Sequence, residues 1–63
     1  MPFIHVHMLY GRTKEQKKAL VKAITRAVVQ IAKAPSEHTR VVIHDIPPES
    51  WGRGGELLSE KER

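Results

Sequence analysis

The chain has no cysteine, so no disulfide can brace it, and no apolar run approaches the roughly 18 residues needed to span a membrane. Its opening, Met-Pro-Phe-Ile-His, lacks the basic and continuously apolar regions of a secretory signal. Aromatic residues are scarce, with one Phe, one Tyr and one Trp, which leaves little with which to stack nucleic-acid bases. There is no glycine-rich phosphate loop between a strand and a helix and no serine-nucleophile motif. Acidic residues are outnumbered, 7 against 11 basic ones, for a formal charge of +4, which suits an acidic partner such as a phosphate chain or a small carboxylate. The expectation is one soluble, cytoplasmic domain over residues 1–63 with no membrane association. A fold of this length buries only about 60% of its unfolded surface. Without disulfides, association with further copies of itself is the expected brace.

What is present is patterned. From Phe3 to Leu9, Ile4, Val6 and Met8 alternate with Phe3, His5 and His7, the period of a strand. After Gly11, Thr13 and Gln16 form a capping box, in which each side chain satisfies an orphan backbone donor of the other, and a helix is predicted from about Thr13. Leu20, Ile24, Ala27, Val28 and Ile31 make its apolar stripe. Lys14, Lys18, Lys22 and Arg26 make a basic one at four-residue steps, which a solvated helix face explains. Ala34-Pro35 stops the helix, and a β-rich segment runs from Thr39 to Ile46.

Strand, helix and strand at this spacing predict a right-handed parallel βαβ unit, an α/β fold. Ile4, Val6, Met8, Val41 and Ile43 are assigned to the helix side. Phe3, His5, His7, Val42 and His44 fall on the other face, which another subunit should cover, because parallel sheets are buried on both faces. Trp51-Gly-Arg-Gly-Gly permits a tight turn or small hairpin, and the polar end, Ser59 to Arg63, is expected to fray.

Chemistry concentrates at few residues. Pro2 follows the initiator methionine, and removal of Met1 would leave its secondary amine at the chain start. An α-amino group titrates at about 7.7–8.0, and burial or a nearby cation shifts it toward neutrality, where it serves as a general base. Arg12 lies in the turn after the first strand and Arg40 opens the second, so parallel strands place the two arginines at opposite ends of one subunit. Their convergence requires a neighbouring chain. Guanidinium groups hold carboxylates bidentately and stabilise a developing enolate. Trp51 suits a pocket wall or a subunit contact. His5, His7 and His44 share a face on which a metal site is conceivable, but no Cys or acidic ligand has matching spacing. Polar histidines at a subunit contact account for them, so no metal and no cofactor are assigned.

Pro2, Leu9-Tyr-Gly-Arg-Thr-Lys-Glu-Gln-Lys17, Arg40-Val-Val-Ile43 and Trp51-Gly-Arg-Gly-Gly-Glu-Leu57 together resemble the 4-oxalocrotonate tautomerase family over essentially the whole chain. The resemblance implies a β-α-β subunit with a C-terminal hairpin, assembled as a hexamer described as a trimer of dimers. It implies that Pro2 is the base that moves a proton between oxygen and carbon of a dienol acid. Arg12 matches the arginine that binds the distal carboxylate, and Arg40 the arginine, from a different subunit, that binds near the enol. Trp51 stands where the family has a phenylalanine lining the apolar part of the site, and Arg53 where the best-known members have an aliphatic residue.

The reading is a cofactor-free isomerase converting 2-hydroxymuconate or a related 2-hydroxy-dienoate to its 2-oxo form. A phenylenolpyruvate-type tautomerase, an enamine-forming nucleophile or a hydratase or dehalogenase on the same site are alternatives, the last ranking lower because Arg53 has the wrong charge to activate water. From another class, a basic module using Lys14, Lys18, Lys22 and Arg26 would bind nucleic acid or an acidic partner.

Overall fold

The computed structural model describes residues 2–61. Strand β1 (Phe3–Leu9) leads through a turn into helix α1 (Lys14–Ala32), and a 3₁₀ turn at Ser36–His38 leads into β2 (Arg40–Ile46). A second 3₁₀ turn at Pro48–Ser50 precedes a hairpin, β3 (Gly52–Arg53) and β4 (Glu56–Leu57), and a last helical turn, α2 (Leu58–Lys61).

The local signals act as their chemistry requires. Gly11 takes φ 129°, a conformation that an L side chain would strain, and so lets the chain leave the strand. The Thr13 hydroxyl then accepts from the Gln16 amide at 3.1 Å while the Gln16 side chain accepts from the Thr13 amide at 2.9 Å, the reciprocal cap predicted. The helix closes on Lys33 in the left-handed region (φ 58°), with Pro35 just beyond.

β1 and β2 pair in parallel, with Phe3 opposite Arg40, His5 opposite Val42 and His7 opposite His44. The intervening pairs, Ile4 with Val41, Val6 with Ile43 and Met8 with Asp45, lie on the α1 side. An ion pair fixes that parity: Lys17 of α1 donates to Asp45 Oδ2 at 2.6 Å. All five residues assigned to the helix side are half-buried, as are Leu20, Ile24 and Val28 of α1.

Two expectations are corrected. Ile31, counted in the apolar stripe, is 81% exposed, and Ala27 is exposed as well. A 19-residue helix is about 28 Å long, whereas a seven-residue strand spans about 23 Å, so the last turn of α1 overhangs the sheet. The polar end is ordered as α2 over Leu58–Lys61, where a frayed end was expected from Ser59; residues 62 and 63 lie outside the described residues, as does Met1.

None of the described residues is fully buried. The radius of gyration is 14.8 Å, against about 10.6 Å for a compact domain of this length. The accessible area is 5034 Å², against about 4,100 Å² for a compact monomer of this mass. One copy has elements and a half-covered sheet but no closed core.

Candidate active site

Pro2 is anchored by its carbonyl, which accepts from the Arg40 amide at 3.1 Å. This bond extends the β1–β2 ladder by one step and sets the two residues side by side where both strands begin. Arg40 is paired with Phe3, and the alternation of the strand puts both side chains on the face away from α1. Phe3 is 60% exposed there. The overhanging end of α1 is at this same end of the subunit, because a helix joining parallel strands runs back to the start of the second. Ile31, expected in the apolar stripe, is thus an exposed apolar group at the same end of the subunit as Pro2. Helix length set against strand length was the signal that could have shown it.

Arg12 is at the other end. Its guanidinium donates through Nη1 to the Leu9 carbonyl at 2.8 Å, which capps the C-terminal end of β1 and holds the side chain in the turn. Tyr10 continues the ladder at that end by donating to the Ile46 carbonyl at 3.0 Å. Trp51 follows Ile46 through the turn at Pro48–Ser50 and is half-buried; its carbonyl accepts from Leu58 N at 2.9 Å, tying the hairpin to α2. The hairpin's loop residues Gly54 and Gly55 have φ of 61° and 87°, both positive, as a two-residue type I′ turn demands. Arg53 and Glu49 are exposed.

The predicted residues therefore sort into two groups. Pro2 and Arg40 share one end of the sheet, while Arg12 lies about 23 Å away along the strand, with Trp51 leaving β2 from that far end. A single chain cannot apply them to one small substrate. A groove of about 530 Å³ does run along α1, lined by Lys18, Val21, Lys22, Thr25, Arg26 and Val29 among others, but it contains none of the four. It combines part of the basic stripe with apolar side chains and belongs to the helix rather than to the proline end.

Comparison with known proteins settles the family. A model of the tautomerase enzymes matches residues 2–61, the whole of the described chain. The chain belongs to the tautomerase family. It is 52% identical to a 2-hydroxymuconate tautomerase of Comamonas testosteroni, over 98% of this chain and 95% of that one. Among solved structures, a 4-oxalocrotonate tautomerase isozyme of Methylibium petroleiphilum superposes with a TM-score of 0.89 at 42% identity, covering 98% of this chain and all of that one. A heterohexameric 4-oxalocrotonate tautomerase from Chloroflexus aurantiacus gives a TM-score of 0.87 at 33% identity, over 95% and 97% of the two chains. Membership extends to the 4-oxalocrotonate tautomerase group, and the chain is an isomerase of that type. Among the described residues no helix is long and apolar enough to cross a membrane.

Proposed function

We propose that the chain ketonises 2-hydroxymuconate or a related 2-hydroxy-dienoate, with the Pro2 amine as general base once Met1 has been removed. The observation that carries this reading is the match of residues 2–61 to the tautomerase enzymes, in a chain whose Pro2 is held at the start of β1 by the hydrogen bond its carbonyl accepts from the Arg40 amide. The amine accepts the enol proton and returns it to a carbon of the diene as the enol oxygen becomes the 2-oxo group, so no group is consumed. An Arg40 supplied by another copy, as the family resemblance implies, is always cationic; it disfavours the protonated amine, which favours a base at neutral pH, and it holds the substrate oxygen on which charge develops. The 2-hydroxymuconate tautomerase of Comamonas testosteroni, alike over nearly the full length, supports this substrate class.

Arg12 and Trp51 would come from a second copy, Arg12 holding the far carboxylate and Trp51 walling the diene from water. The bare sheet face and the absence of a closed core in one copy support assembly from several chains. By analogy with the heterohexameric relative, that assembly is a hexamer, in the trimer-of-dimers arrangement that the family resemblance implies.

A complementation assay tests both parts. With Met1 removal verified by intact mass, Pro2→Ala is expected to lower ketonisation by roughly 10²-fold or more, the lower range for losing a general base. Arg12→Ala is expected to be similarly impaired. Unfolding the two variants together and refolding them should restore activity at about a quarter of the sites, because random mixing pairs an intact Pro2 with an intact Arg12 from another copy. Recovery no better than the parent variants would refute the shared site. Unchanged turnover by Pro2→Ala would refute the base.

A further inference from the structure

The chain has four histidines, and three of them meet outside the site just described. The parallel register puts His7 directly opposite His44, and His5 is the preceding residue of β1 on the same face. The rings stack, His7 on His44 with centroids 4.3 Å apart and planes within 5°, and His5 on His44 at 5.0 Å and 15°. His5 Nδ1 and His44 Nε2 are 2.8 Å apart, and one ring nitrogen from each of the three lies within 4.8 Å of the others. His5 and His7 are exposed and His44 is half-buried.

The geometry points to a binding site for a borderline divalent transition metal, zinc, nickel or copper, held by His5, His7 and His44 on the sheet face away from α1. Imidazole nitrogens around a tetrahedral zinc, each at about 2.0–2.1 Å, stand about 3.3 Å apart. The spacings here, 2.8 Å for the closest pair and at most 4.8 Å within the group, bracket that value, so small side-chain rotations on a fixed pair of strands close the site. A set made only of imidazoles discriminates against magnesium and calcium, which need oxygen ligands. Three histidines leave the fourth tetrahedral position to water or to a group of the copy that covers this face.

Binding replaces the contact between His5 and His44. The proton shared there moves to the opposite nitrogen of its own ring, so that both rings turn a lone pair to the ion and no proton need be lost. Because only neutral imidazole ligates, affinity falls as the solution is made acid. The site does not depend on the Pro2 chemistry. Its consequence is mechanical: an ion here ties β1 to β2 across their bare face, in a chain that has neither a disulfide nor a buried residue among those described.

The test is titration of the metal-stripped, assembled protein with zinc by calorimetry, repeated with cobalt to read the visible bands of a tetrahedral nitrogen site. One ion per chain is expected, with a rise in the thermal midpoint on saturation. His5→Gln, His7→Gln and His44→Gln should each weaken binding by about 100-fold or more and abolish that rise. His38→Gln, in the turn before β2, should change neither. If His44→Gln fails to assemble, whichever of His5→Gln and His7→Gln keeps the wild-type particle mass decides. The site is refuted if zinc, nickel and copper all fail to saturate the wild type, if the ratio falls well below one per chain, or if binding survives in His5→Gln and disappears in His38→Gln.

Discussion

The two faces of the β1–β2 sheet are made from the same two strands, yet they are built for different neighbours. The face under α1 carries Ile4, Val6, Met8, Val41 and Ile43, all half-buried, with the Lys17–Asp45 pair at its edge. The other carries Phe3 at 60% exposure, Val42 at 37%, three stacked histidines and Arg40. The first is covered by the chain's own helix and makes the unit recognisable as βαβ. The second is left bare, and on the proposed reading it is closed by other copies. In so short a chain one helix can cover only one face, and what occupies the second face decides assembly and, through it, the active site.

The largest effect should come from forcing charge onto the bare face. Val42 lies between Arg40 and His44 on its own strand and opposite His5 on the next. Val42→Lys adds a cation among groups that are already basic, and it would have to be desolvated for a neighbouring copy to pack. An unpaired buried charge costs several kcal/mol, and every 1.4 kcal/mol is about tenfold in association. The expected outcome is a smaller particle by analytical ultracentrifugation, with ketonisation lost in step because Arg12 no longer reaches Pro2. A particle of unchanged mass would mean that this face is not where the copies meet.

How much of this was legible in the sequence follows from the range over which each signal acts. The alternation in Phe3 to Leu9, the Thr13–Gln16 box and the stop before Pro35 are local, and each produced the element expected. Gly54-Gly55 likewise sits where a hairpin needs positive φ. Placing Ile31 correctly required comparing the helix with the strands it lies on, a relation between elements that helical periodicity does not contain. That His5, His7 and His44 share a face was readable; that they stack required the register, which matches His7 to His44 rather than to a neighbour. The separation of Arg12 from Pro2 and Arg40 was legible from strand direction alone. How the copies are arranged to bring Arg12 back is a property of the assembly and is written in no one chain's local pattern.

A middle-sized effect should come from the covered face. Ile43, opposite Val6 and half-buried beneath α1, loses its packing in Ile43→Ala. Full burial would make that substitution cost about 2–5 kcal/mol, and partial burial reduces it to about 1–3 kcal/mol. The urea midpoint at fixed protein concentration is the measure, and the particle mass of the folded state should stay that of the wild type. A loss within about 0.5 kcal/mol, the range of ordinary surface changes, would show that the helix does not cover this strand as described.

The smallest effect tests whether the helix that makes the two faces unequal is held by its own start signal. Thr13→Ala removes the hydroxyl that accepts from the Gln16 amide and leaves that donor without its cap. Loss of such a cap costs about 1 kcal/mol, while Thr13→Ser keeps an acceptor at the same place and should recover most of it. The urea midpoint should fall for the alanine variant and return for the serine variant, with assembly unchanged in both because the bare face is untouched. Equal losses in the two variants would mean that the methyl group of Thr13, and not its hydroxyl, is what holds the first turn beside Arg12.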